Sequence, residues 1–346
     1  MIQLLTTGGT IASALNAEGL NVSGAMSGDQ LLASLDSSLS VDQHPRTESL
    51  IQVPSNAIDT TDLRTMEDRC RQLMADPGIE GIVLTHGTDT LEDTAYFLHL
   101  TLGDCPKPVV ITGSQKPIHE TGSDAPRNLA DAIKVASAPA SRGFGVLVVF
   151  DEAIHSAALA RKTSSYRLGG FSSPGYGPIG HVDGNQVGYS LHPAPQRALP
   201  TGKHLGGLPR IDILQAALDS ACLVKAAQRD GADGLVINGL GRGHVPPRWV
   251  EDISEAANSG LPIAITSSTG SGPVKAVYEF PGSLADLLKA GVISAGDLTA
   301  RQARILMMVL LSRDCRDTEL AGHLGQAGIW GEGKLPRSPG SRAISN

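Results

Sequence analysis

The sequence predicts an α/β protein in two domains, a larger N-terminal parallel-sheet domain and a smaller C-terminal α/β domain. Three observations lead there. Apolar runs of strand length alternate with helical patterns along most of the 346 residues. Glycine is abundant, at 40 residues, while aromatics are only 3%, which implies aliphatic cores and glycine-rich connections. A proline-rich stretch then interrupts the alternation, which resumes on a smaller scale beyond it.

The first strands are QLLTT (3–7), GIVLT (81–85), PVVIT (108–112) and GVLVVF (145–150). Each is almost continuously apolar or β-branched, as in strands buried on both faces. Helical patterns lie between them, at about 60–75, 90–102 and 124–137. The last opens Ser123-Asp124-Ala125-Pro126, a cap followed by proline in the first turn. Such alternation implies parallel strands joined by crossover helices. The segment SLHPAPQRALPTGKHLGGLP (190–209) has four prolines and no helical period, and reads as a linker over 193–209. Domains of 1–192 and 210–328 follow. Beyond the linker, strands are expected at 211–214, around 235–238 and at 262–266, with helices near 219–229 and 247–259. An apolar helix over about 297–313 is expected to pack between domains or subunits, and 329–346 reads as a flexible tail.

Composition narrows the function. Lys plus Arg is 28 against 35 for Asp plus Glu, a net charge of −7, and no basic block is present. A nucleic-acid partner is not expected. No apolar stretch reaches the length of about 18 residues that a membrane span needs. The opening MIQLLTTGGT reads as a strand, without a charged leader or cleavage site, so a cytoplasmic protein is expected. Cys70, Cys105, Cys222 and Cys315 show no paired metal spacing and read as reduced thiols, with no metal expected.

Ligands in parallel sheets gather at the carboxyl ends of strands, where helix N-termini offer N–H groups. TTGGTIAS (6–13) falls there, with Gly8 and Gly9 permitting a tight turn that presents Thr10. Taken alone it is equally a structural turn capped by Thr10, while the GxGxxG of a dinucleotide loop is absent. HGTDTLEDTAYFL (86–98) places His86, Thr88, Asp89 and Thr90 at a strand-to-helix junction. Thr90 with Asp93 could form a capping box, but His86, Thr88 and Asp89 exceed what capping needs. A carboxylate there can hold a ligand ammonium, and a hydroxyl can act as nucleophile or relay. His86 reads as a packed histidine more readily than as a base. Lys162, in ALARKTSSY, is either a solvated surface residue or a desolvated proton acceptor, with Arg161 as its competitor.

TTGGTIAS and GIVLTHGTDTLEDTAYF resemble the two signatures of the bacterial-type asparaginase/glutaminase family. The similarity continues through PVVITGSQKP, SDAPRNLADAI, LARKTSSY and GLGRGHVPP, to about residue 325. The resemblance implies hydrolysis of the side-chain amide of L-asparagine through an acyl-enzyme, with no metal or organic cofactor. It implies Thr10 as nucleophile, with Thr88, Asp89 and Lys162 as the neighbouring hydroxyl–carboxylate–lysine group. Asp89 would also hold the substrate ammonium, Ser55 the α-carboxylate, and backbone N–H groups near Thr88 the oxyanion. Asn56 stands where some exported members bind substrate through glutamine. The family builds its site at a subunit interface, so a homodimer or homotetramer is implied, with Glu279 matching the intersubunit glutamate.

The chain departs from the pattern in places. Leu20 occupies the position of a loop tyrosine common in relatives, in a segment expected to close over substrate. His244 stands where exported members have asparagine. Cys105 aligns with one of their disulfide cysteines, whose partner has no counterpart; Cys70 is about a helical turn or two from that partner's position. A glutaminase-asparaginase of broader specificity is the alternative. A non-hydrolysing amino-acid sensor and an amidotransferase that feeds ammonia to a partner are the others.

Overall fold

The computed structural model describes residues 1–35, 45–103, 105–192, 198–199, 201 and 207–327. The chain divides into two compact units, Met1–Thr201 and Gly202–Asn346. The expected tail lies outside the described residues, as does most of the expected linker. Leu199 donates its amide to the Leu100 carbonyl (2.7 Å), and Thr201 its hydroxyl to Glu67 (2.9 Å), so these two linker positions belong to the first unit.

The first unit runs β1 (Ile2–Gly8), β2 (Ala14–Leu15), β3 (Asn21–Val22), α1 (Gly28–Ala33), β4 (Arg46–Val53), α2 (Thr60–Ala75), β5 (Gly81–Thr85), α3 (Leu91–Leu102), β6 (Val109–Thr112), α4 (Ala125–Ser137), β7 (Val146–Phe150), β8 (Ala153–Ser156), β9 (Arg161–Lys162), β10 (Phe171–Ser172), β11 (Gly180–Asp183) and β12 (Gln186–Tyr189). Its main sheet has the order β12-β11-β8-β7-β6-β5-β1-β4. Strands β4, β1, β5, β6 and β7 are parallel, and β1, β5, β6 and β7 are buried throughout, as their apolar runs predicted.

The sheet is mixed where a parallel one was expected, because β8, β11 and β12 extend it antiparallel. These strands are four residues long, and β11 and β12 alternate between inward and outward positions, so they carry no continuous apolar run. β7 turns into β8 through Asp151 and Glu152, both left-handed (φ 51° and 67°), the geometry of a two-residue hairpin turn. Edge strand β4, RTESLIQV, is polar for a similar reason: among the described residues it pairs only with β1, and its surface is half-wet.

The second unit runs β13 (Ile211–Gln215), α5 (Val224–Arg229), β14 (Gly234–Gly239), α6 (Val250–Asn258), β15 (Ile263–Ser267), α7 (Leu284–Lys289), β16 (Ile293–Ser294), α8 (Ala300–Leu311) and α9 (Asp317–Gln326). Its sheet, β13-β14-β15-β16, is parallel throughout. Trp249, Ile253 and Leu287 pack with Leu235 and Ile265 in its core. Helix α8 corrects an expectation. It packs on β13, β14 and β15 of its own unit, which accounts for its apolar surface. A Thr299–Gln302 capping box starts it.

Candidate active site

Four adjacent parallel strands, β4, β1, β5 and β6, place their carboxyl ends side by side, with Gly8 opposite Val53, Thr6 opposite Thr85, and Thr85 opposite Thr112. Ser55, Thr10, the Thr88–Asp89 pair and Gly113 follow these ends in turn. Glycine makes the crowding possible. Gly8 and Gly9 are left-handed (φ 96° and 83°), and a Cβ on Gly9 would stand 2.4 Å from the Gly87 backbone. A Cβ on Gly87 would meet Ser55 at 2.8 Å. The Thr10 and Thr88 turns therefore touch backbone to backbone, and the Ser55 side chain packs against the Thr88 turn.

Side chains pin this arrangement. Thr7 donates its hydroxyl to the Thr85 carbonyl (2.8 Å), joining β1 to β5 just before the turn. Gly9 donates its amide to Ser23 Oγ (3.0 Å), which fastens the turn to the β2–β3 hairpin. The expected Thr90 capping box does not form. Thr90 Oγ1 instead donates to the Ser55 carbonyl at 2.7 Å, so tertiary packing takes the hydroxyl that local geometry would have used. Ser55 is buried and Asn56 exposed.

His86 is fully buried. Its Nδ1 lies 2.7 Å from the Gly87 carbonyl and its Nε2 2.9 Å from Thr94 Oγ1. A carbonyl only accepts, so Nδ1 carries the proton and Nε2 accepts from Thr94. Burial lowers the pKa to about 4, so the ring is neutral and braces the junction.

Lys162 reaches the same junction from β9. Its Nζ donates to Thr88 Oγ1 (2.8 Å) and to Asp89 Oδ1 (2.7 Å). Arg161, the competing candidate, is its strand neighbour, and successive strand side chains point to opposite faces. The Lys162 amide donates to Glu92 Oε2 (2.5 Å), from the first turn of α3. β9 pairs with β10, placing Lys162 opposite Phe171. Gln115 Nε2 donates to the Ser164 carbonyl (3.0 Å), supporting this hairpin from the loop after β6. Asp124 holds that loop by accepting the Gln115 and Lys116 amides (2.9 and 3.0 Å). Ser23, Glu92 and Gln115 had no signal in the sequence, since each acts on a partner at least 14 residues away.

Leu20 lies beside the β2–β3 hairpin turn, 65% exposed, its amide donating to Asn16 Oδ1 (2.8 Å). Glu279 and His244 lie in the second unit. Glu279 is exposed and paired with Lys289 (2.9 Å), whose hydrogen bond lowers its pKa. His244 Nδ1 accepts the Leu284 amide (3.3 Å), with its ring edge-on to Phe280 and Tyr278; burial lowers its pKa.

The assembled cluster is a hydroxyl–lysine–carboxylate group beside a turn that presents a second hydroxyl, suited to activating an oxygen nucleophile. The model of the N-terminal domain of asparaginases matches residues 1–195, and that of the glutaminase/asparaginase C-terminal domain matches 210–322. An L-asparaginase of Bacillus licheniformis is 39% identical over 316 residues, covering 90% of this chain and 95% of that protein. A glutaminase-asparaginase of Pseudomonas fluorescens is 33% identical, covering 92% and 88%. Among solved structures, a probable cytoplasmic L-asparaginase from Campylobacter jejuni superposes with a TM-score of 0.82 at 29% identity, covering 93% and 98%. With both domain models matched in order and a 39% identical relative spanning nearly its full length, the chain belongs to the bacterial-type asparaginase family of amidohydrolases.

Proposed function

We infer that this enzyme hydrolyses the side-chain amide of L-asparagine to L-aspartate and ammonia, with Thr10 as nucleophile. The observation that carries the reading is the Lys162–Thr88 hydrogen bond at a junction whose backbone abuts the Thr10 turn. Thr10 Oγ attacks the amide carbon, and its proton passes through Thr88 Oγ1 to a neutral Lys162. The lysine returns that proton to the leaving nitrogen, which departs as ammonia. Water then enters by the same relay and cleaves the Thr10 ester, releasing aspartate. Backbone N–H groups near Thr88 stabilise the oxyanion of both steps. Ser55 and Asn56 bind at the α-carboxylate end, and Asp89 binds the α-ammonium. No cofactor enters the scheme.

The same reading makes the protein a cytoplasmic homodimer or homotetramer in which Glu279 completes the site of a partner subunit. The four free cysteines and the likeness to the Campylobacter protein support the compartment. The Pseudomonas relative supports a second reading, broader action on glutamine. Ammonia release by purified protein, without added cofactor, separates these. Turnover of asparagine well above glutamine supports the first, comparable rates support the second, and no release from either defeats both.

A further inference from the structure

The corner between α8 and α9 gathers three donors that amide hydrolysis does not use. Cys315 lies just before α9, and within the helix Glu319 and His323, four residues apart, share one face. Cys315 Sγ, a Glu319 carboxylate oxygen and an imidazole nitrogen of His323 all lie within 4.8 Å of one another. Cys315 is buried, His323 half-buried and Glu319 exposed. A cation held by all three would sit at the protein–water boundary, with one side open.

The donor chemistry is selective. One sulfur, one nitrogen and one oxygen ligand suit zinc, and are too soft a set for magnesium or calcium. Tetrahedral bonds of about 2.0–2.3 Å separate donors by roughly 3.4 Å, so the three side chains need to draw in by about an ångström. Exposed Glu319 can change rotamer without disturbing the core. The frame beneath is firm. The Cys315 amide donates to the Leu310 carbonyl at the end of α8 (3.1 Å), and Leu320 and Leu324 bury the inner side of α9 completely. Metals bind the thiolate, so the free Cys315 thiol gives up its proton on binding. Binding would exchange that proton for a sulfur–metal bond.

We propose that Cys315, Glu319 and His323 form a zinc site with three protein ligands and an open fourth position, clipping the corner between α8 and α9. The test uses the full chain, stripped with a chelator and titrated with cobalt(II) as a spectroscopic stand-in. The expected result is one cobalt per chain, with a thiolate-to-cobalt charge-transfer absorption that zinc displaces. Cys315→Ser should abolish the absorption, His323→Gln should weaken cobalt binding at least about tenfold, and Cys222→Ser should change neither. Zinc should raise the Tm of the parent and not that of His323→Gln. If Cys315→Ser fails to fold, His323→Gln decides. Absence of the absorption in the parent, its persistence in folded Cys315→Ser, or unchanged affinity in His323→Gln overturns the site.

Discussion

Lys162 Nζ donates to Thr88 Oγ1 across 2.8 Å, joining side chains 74 residues apart. While the lysine is an ammonium it occupies a lone pair of the hydroxyl, and the Thr88 proton points elsewhere. Once neutral, it can accept that proton and leave Thr88 Oγ1 as a base toward a neighbouring hydroxyl. Lys162 is largely buried, with 16% of its side chain exposed, whereas Asp89 is 70% exposed. The carboxylate can thus face an incoming ammonium while the lysine stays shielded.

Thr10→Ala should abolish turnover, by several powers of ten, and leave the fold intact, because the residue supplies a hydroxyl on a turn and little core volume. Circular dichroism with an ammonia assay checks both halves. More than about a tenth of the parent kcat would remove Thr10 as nucleophile.

Lys162→Met should lose turnover comparably yet still bind aspartate. Asp89→Asn should lose that binding, since it removes the charge opposite the ligand ammonium. Calorimetric titration with aspartate distinguishes them. Equal loss of binding in both variants contradicts the division of roles.

Thr90→Val removes the hydroxyl that holds the Ser55 carbonyl and leaves α3 without any lost side-chain cap. Losing this bond, worth about 1 kcal/mol, should raise KM about fivefold through the Ser55 turn with little change in kcat. A fall in kcat at constant KM would show that Thr90 acts on the chemistry instead.

Leu20 can supply shape and water exclusion to a closing hairpin, but no hydrogen bond to Thr10. Leu20→Ala should raise KM and lower kcat, on the order of tenfold overall. Leu20→Tyr tests the relay: a higher kcat means that the native proton path is incomplete. Unchanged constants in Leu20→Ala would show that Leu20 is not part of a lid.

His86 has a folded-state pKa of about 4, below its ordinary 6.5. The unfolded chain binds the proton first, so its contribution is fully present above pH 6.5 and is lost as pH falls toward 4. The loss approaches about 3 kcal/mol at its lower end. His155 shifts the same way through burial and adds to the slope. In His86→Gln, which can still donate to Gly87 and accept from Thr94, urea denaturation should show a shallower decline over this window. Identical slopes in both proteins would exclude His86 as a source.

The sequence by itself determined the two α/β units and the buried strands β1, β5, β6 and β7, because a strand covered on both faces must be apolar along its length. It also marked the junction at Thr88 and Asp89, since polar residues beyond the needs of a cap stand out locally. It did not disclose β8, β11 and β12, whose short alternating patterns acquire meaning only beside β7. Nor did it disclose that Cys315, Glu319 and His323 gather, since a single thiol ahead of a helix carries no local signal. Tertiary structure alone decided that Thr90 serves Ser55 instead of its own helix, and it brings Lys162, which the family resemblance singled out, to Thr88. It also decided that Ser23, Glu92 and Gln115 support the site. A hydrogen bond between distant residues is decided when parallel strands align their ends, and no local pattern encodes which two ends become neighbours.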